Sequence, residues 1–417
     1  MSPFLQLTLE LVIIIAFAKA AGYLSTRIGQ PAVFGELVVG VLLGPSLINI
    51  TNLPFITDAH LPETLSQLGE LGVVLLMFLA GLELHLKDLA RSSRVSALSG
   101  TIGVLLPVAL GVGFGELAGM DFNHSAFLGL TLGATSVSIS AQVLIELNKL
   151  RTKVGLGLLG AAVFDDILTL LLLSTFLAFL TGGNSFGEVI FVFVKMLAFI
   201  VFSVALGLRG LPKLTRLVNR LPISQGVTAL ALIILLIYAL AAELLGGMAA
   251  ITGTFIAGLM FARTPEKQII ETNLHAMAYA FFVPIFFISI GLSVNLKLVN
   301  LQSIWIILAI SAIAVLGKII GAGGGALLAK FTPLESLQMG IGMVSRGEVG
   351  LIIAKVGLDS GYLGQEFFAA IVIMILITTL ITPPMLRAAF SRREPVKTSE
   401  ETELENSHPD ASKTSEE

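Results

Sequence analysis

Thirteen apolar runs, each long enough to cross a bilayer, follow one another from residue 4 to residue 390. They fall at about 4–25, 32–50, 64–84, 96–119, 124–146, 155–181, 186–208, 224–244, 246–263, 277–296, 303–329, 335–357 and 363–390. A spanning helix needs about 20 mostly apolar residues to cross about 30 Å of hydrocarbon, and the runs match that length. The chain therefore reads as an all-α polytopic membrane protein. Composition agrees: of 417 residues 55% are hydrophobic and 13% charged, with a mean hydropathy of +0.93. Soluble domains carry about 25% charged residues, and a globule of this size could not cover its surface with half that supply. The first run has no basic leader and no convincing cleavage site, so it reads as a spanning helix rather than a signal peptide. The absence of cysteine excludes a disulfide scaffold, thiol redox chemistry and Cys-ligated zinc.

Positive charge checks the count independently. The loops after segments 1, 3, 5, 7, 9 and 11, together with the C-terminal end, hold 19 of the 25 basic residues. The opposite side holds Lys297 and Lys355, and Lys19, Lys195, Lys318 and Arg346 lie within segments. Lysine and arginine mark the cytoplasmic face, which predicts an outside N-terminus and a cytoplasmic C-terminus. The tail from Glu394 to Glu417 has eight acids against two lysines and almost nothing apolar, so it reads as disordered. It carries net −6 of a total of −3, which leaves residues 1–393 at +3.

An internal repeat is visible. LMFLAGLELHL at 76–86 matches FFISIGLSVNL at 286–296, with Gly81 on Gly291, and GELVVGVLLGP at 35–45 is echoed by TGTFIAGLMFA at 252–262. Both matches are offset by seven segments. An odd offset inverts the second copy, the arrangement of many secondary transporters. Segments 1–6 then pair with 8–13, and segment 7 links them.

Inverted repeats of this kind place interrupted helices at the substrate site, in corresponding positions of the two halves. Segment 5 contains GATSVSISAQ (133–142) and segment 12 contains GMVSRGEVG (342–350), both polar and glycine-bearing at mid-membrane. The alternative is that these hydroxyls bond only their own helices. Segment 6 contains AAVFDDILTLLLL, with Asp165 and Asp166 deep in an apolar run. Each carboxylate costs about 2.5–3.5 kcal/mol at that depth, so the pair needs compensation. Neighbours on a helix point about 100° apart, so one can meet a fixed partner while the other meets a mobile ion. Lys318 in segment 11 is too central to snorkel, and an aspartate of segment 6 is its natural partner. Arg346 and Glu348 in segment 12 either tune the site or tie the broken helix together. GLGLLG at 155–160 matches a dinucleotide fingerprint in form only, since it opens a membrane helix and no βαβ unit surrounds it. Glycines there serve close helix packing. No zinc motif, catalytic triad or Walker sequence is present, so no enzyme, cofactor or nucleic-acid partner is expected.

Together GQPAVFGELVVGVLLGP (29–45), LMFLAGLE (76–83), GATSVSISAQVL (133–144), AAVFDDI (161–167), LGKIIGA (316–322) and SRGEVGLI (345–352) resemble the monovalent cation:proton antiporters, in the branch of the NapA-like sodium/proton and Kef-type potassium transporters. The resemblance covers about residues 1–393. It implies an NhaA/NapA-like antiporter fold with two crossed broken helices, usually a homodimer. A dimer domain would span about 4–84 and 224–296, a link helix about 186–208, and a mobile core about 96–181 and 303–390. Motif by motif, Asp166 would be the essential ion and proton carboxylate. Asp165 would be its partner, salt-bridged to Lys318 when no sodium is bound, with Thr135 and Ser136 beside the ion. Ser345, Arg346 and Glu348 would support the second broken helix. Kef-type members typically have Gln–Asp where this chain has Asp165–Asp166, and carry a C-terminal nucleotide-binding regulatory domain for which this tail is too short. Both points favour exchange of sodium or lithium for protons in an energised membrane, the plasma membrane above all, by an elevator motion. A potassium/proton antiporter and a sodium-coupled solute transporter on the same scaffold are the alternatives.

Overall fold

Among the described residues every regular element is helical, as a backbone that must satisfy itself inside hydrocarbon requires. The computed structural model describes residues 1–54, 56–180, 185–292 and 304–391. In it the thirteen runs appear as thirteen segments. The first four are α1 (Pro3–Arg27), α2 (Ala32–Leu43), α3 (Leu61–Leu82) and α4 (Ser93–Leu117). α5 is two half-helices, Phe122–Gly133 and Val137–Glu146, and α6 spans Lys153–Leu180. Then come α7 (Ser185–Asn219), α8 (Gly226–Ala241, prolonged by a π turn), α9 (Ala250–Phe261) and α10 (Lys267–Met277 joined through a π turn to Val283–Leu292). α11 (Ile304–Leu328) precedes α12, again two halves, Pro333–Gly342 and Glu348–Asp359, and α13 (Gln365–Ser391) ends the described chain. Among the described residues ten segments are long and apolar enough to cross a membrane, while α2, α9 and the second half of α12 are shorter apolar helices. The chain is an integral membrane protein.

Three boundaries differ from expectation, and the first is the end of α2, which stops at Leu43, seven residues before its apolar run ends. α7 runs to Asn219, so Arg209, Lys213 and Arg216 ride on a helical extension and not in a loop. α10 begins at Lys267, ten residues before its apolar run, because the polar stretch KQIIETNLHAM continues the helix outward with Ile270 and Leu274 buried. Residues 293–296 of the tenth run and the tail 394–417 lie outside the described residues.

Contacts near the segment ends gather on two faces. On the basic face Lys153 pairs with Glu335 at 3.0 Å, and Asn273 donates to Gln225 at 2.9 Å. Glu335 also accepts from the backbone of Thr332, closing a capping box that starts α12. On the other face the Gln6 side chain bridges to Thr57 and Asp58 (2.7 and 3.0 Å), and the rings of His124 and Tyr362 meet at 5.9 Å.

The packing displays the inverted repeat. α2 crosses α10 where Gly40 meets Gly291, and α3 crosses α9 where Gly81 meets Gly258. A Cβ at Gly81 would collide with the Phe255 carbonyl, and one at Gly258 with the Phe78 carbonyl, so these crossings need glycine. Exchanging the two halves converts one crossing into the other. The offset that aligns Gly81 on Gly291 also aligns Pro107 on Gly317, and these two residues touch each other where α4 packs on α11. Two packing groups result: α1, α2, α3, α8, α9 and α10 on one side, and α4, α5, α6, α11, α12 and α13 on the other. α7 packs against α6 of one group and against α8 and α9 of the other. The glycines of GLGLLG do pack closely, Gly160 on the Ser96 side chain and Gly157 on Val95 and Met339.

Candidate ion-binding site

Each helix break strands carbonyls on one half-helix and N–H groups on the other, and these must find partners. They find them in each other. The Ser136 N–H donates to the Ser345 carbonyl at 2.9 Å, and the Ser345 hydroxyl donates to the Ser136 carbonyl at 2.5 Å. The Ser140 hydroxyl donates to the carbonyl of Gly342 at 2.6 Å. The breaks at 134–136 and 343–347 therefore cross at one point. Gly347 lets the second chain pass over the Ser136 side chain, 2.7 Å from where its Cβ would lie.

The first aspartate of α6 faces this crossing. Lys318, fully buried on α11, lies 2.5 Å from Asp165 Oδ1, itself 1% exposed. The Thr135 hydroxyl donates to the same oxygen at 3.1 Å. Asp165 Oδ2 has no hydrogen-bond partner among the described residues. Asp166, 7% exposed, points elsewhere: its Oδ2 accepts from the Thr252 hydroxyl of α9 at 2.8 Å. A small pocket opens beside it, lined by Met77, Ile251 and Phe255 of one packing group and by Val137, Leu159 and Val163 of the other. One carboxylate is thus neutralised by a fixed cation while its neighbour faces a hydroxyl and a pocket. That is the division of roles the 100° offset allows.

The structure brings together Asp165, Asp166, Lys318 and Thr135. Ser136 contributes to the crossing through its backbone and Ser345 through both its carbonyl and its hydroxyl, while the Ser136 hydroxyl lies 3.1 Å from Ser138. Arg346 is fully buried and ties the second break together: it donates to the carbonyls of Met343 (3.2 Å) and Ala314 (3.0 Å), and its own carbonyl accepts from Thr379 at 2.8 Å. Glu348 opens the second half of α12, and its side chain lies outside the described residues. Sequence reasoning missed Thr252, whose only signal was its place in the repeated TGTFIAG stretch. Among the described residues no group of three or more His, Cys, Asp or Glu side chains forms a metal centre.

An inverted repeat with two crossed broken helices and a buried, partly neutralised carboxylate pair defines an ion-coupled secondary transporter, not an enzyme. The profile described as "Sodium/hydrogen exchanger, transmembrane" matches residues 12–392, and the chain belongs to that family, among the monovalent cation:proton antiporters. It is 42% identical over 385 residues to the Na(+)/H(+)-K(+) antiporter GerN of Bacillus cereus, covering 92% of this chain and 96% of that protein. A Na(+)/H(+) antiporter of Enterococcus hirae is 36% identical over 378 residues, covering 90% and 96% of the two chains. The sodium proton antiporter MjNhaP1 of Methanocaldococcus jannaschii shares the fold, with a TM-score of 0.67 at 14% identity over 92% of this chain and 97% of that one.

Proposed function

We propose that this protein exchanges sodium or lithium for protons, with cation and proton competing for Asp166. The observation that carries the reading is the unequal treatment of the two aspartates. Lys318 neutralises Asp165, whereas Asp166 has a hydroxyl and an open side. A buried carboxylate beside a pocket takes up one positive charge at a time, a proton or a small metal ion, and that exclusivity couples the two flows. As the proton leaves Asp166, the cation takes its place beside Asp166 and the oxygens of the α5 break. Asp165, with one oxygen unpaired, is the second ligand.

The packing group of α4–α6 and α11–α13 is the moving core, and that of α1–α3 and α8–α10 the stationary scaffold through which two copies form a homodimer. The core carries the site across as an elevator. Basic loops set the C-terminus in the cytoplasm of a cell whose plasma membrane holds the protein. The names of the Bacillus and Enterococcus relatives support sodium. The first of them also names potassium, which makes potassium/proton exchange the second reading. The apolar, narrow pocket beside Asp166 argues against an organic solute.

The test is reconstitution into liposomes under an imposed pH gradient, with sodium, lithium and potassium added separately. Sodium and lithium are expected to dissipate the gradient. Dissipation by potassium alone would overturn the choice of cation, and no response to any of the three would overturn antiport.

A further inference from the structure

Membrane-embedded threonines usually satisfy their hydroxyl on their own helix, four or three residues back. Thr131, Thr254 and Thr378 do so here, donating to Phe127, Ile251 and Met374. Thr135 and Thr252 break the habit, and both reach an aspartate of α6. They come from different packing groups. Asp165 takes Lys318 and Thr135, both from the group that contains α6 itself, and those contacts survive any rigid motion of that group. Asp166 takes Thr252 from α9, which packs with α3 and α8. The Thr252 side chain is 3% exposed, held where Gly253 brings α9 against the backbone of Tyr238 in α8, so it cannot follow α6 by a rotamer change.

We infer that Thr252 is a side-selective positioning residue, a stationary hydroxyl that engages Asp166 in one orientation of the core and leaves it in the other. This rests on the elevator reading above. With the site empty, the Thr252 hydroxyl donates to Asp166 Oδ2 and keeps the carboxylate aimed at the pocket. With a cation present, the same oxygen turns a lone pair toward the ion. In the opposite orientation α6 has moved and Thr252 faces other atoms. The affinity of Asp166 for its cation therefore differs between the two faces of the membrane, and Thr252 also biases the core toward the orientation seen here.

The chain has no cysteine, which makes the test clean. Val163 of α6 and Ile251 of α9 line the same pocket beside Asp166. In a Val163→Cys/Ile251→Cys variant of the full chain in liposomes, a short bifunctional thiol reagent should link the two helices. Adding Thr252→Val, which keeps the shape and removes the hydroxyl, should slow linking at least fourfold, and Thr252→Ser should restore it. In the cysteine-free chain, Thr252→Val should raise the sodium concentration for half-maximal exchange about tenfold at one face, the worth of one hydrogen bond to a charged group, and less than twofold at the other. Thr252→Ser should again restore it. No linking with Thr252 in place, linking unchanged by Thr252→Val, or an equal shift at both faces would each overturn the inference. If the wild-type protein moved no sodium, the proposed function would fall, while the linking rates would still report whether Thr252 holds α6.

Discussion

The two helix breaks occupy equivalent positions in an inverted pair, yet each is finished differently. The break in α5 presents the Thr135 hydroxyl to Asp165, with Asp166 next along α6. The break in α12 carries its own cation, Arg346, fully buried with two hydrogen bonds to carbonyls around its crossing. The carbonyl ends of half-helices attract positive charge, so a two-fold scaffold offers two such places. A tethered guanidinium fills one of them permanently. The lesson is that symmetry supplies the crossing, and under the function proposed above its violation by a single arginine leaves one place for a mobile ion.

That contrast can be broken in graded steps. Asp166→Asn should lower exchange at least a hundredfold in liposomes, because the carboxylate that remains, Asp165, is already paired with Lys318. Activity within tenfold of wild type would refute the assignment. Asp165→Asn should cost about 3–5 kcal/mol of stability, since Lys318 then stays buried without its partner. Thermal unfolding in detergent reads this, and Asp165→Asn/Lys318→Met should recover most of the loss. A single variant as stable as wild type would show that the pair is not the compensating unit. Arg346→Met should cost about 2–3 kcal/mol by stranding the Met343 and Ala314 carbonyls, with the half-saturating sodium concentration changed less than threefold. A larger change in affinity than in stability would mean that the arginine takes part in binding and that the two breaks are not divided as described. Ser345→Ala should cost about 1 kcal/mol, one hydrogen bond to the Ser136 carbonyl. Unchanged unfolding would show that the backbone bond at the crossing suffices.

What the sequence revealed of this site follows the cost of each group. Asp165, Asp166 and Lys318 stand out because a charge in an apolar run is expensive and demands a reason. The structure supplies that reason for Asp165 at 2.5 Å. The thirteen segments and the repeat were legible for the same kind of reason, since hydrocarbon permits few alternatives. Thr252 was invisible because a membrane threonine costs little and normally bonds its own helix, so nothing local distinguishes it from Thr254 two residues on. Arg346 was ambiguous because its partners are backbone carbonyls, which leave no trace in residue identity. The start of α10 was misplaced because KQIIETNLHAM is polar enough to read as a loop, although its buried Ile270 and Leu274 follow a helical spacing.

The shortness of α2 and α9 has an electrical consequence. Each has 12 residues, about 18 Å of helix at 1.5 Å per residue, beside a hydrocarbon layer of about 30 Å. With water at both ends of these helices, the insulating slab there would be thinner than the surrounding lipid. A membrane voltage falling across that shorter gap is steeper in proportion. An elementary charge crossing the full potential gains or loses about 2.3 kcal/mol per 100 mV, and beside α2 and α9 that work would be exchanged over about 18 Å. Under the elevator motion proposed above, a carrier stroke there would do the electrical work of a full crossing over a shorter path.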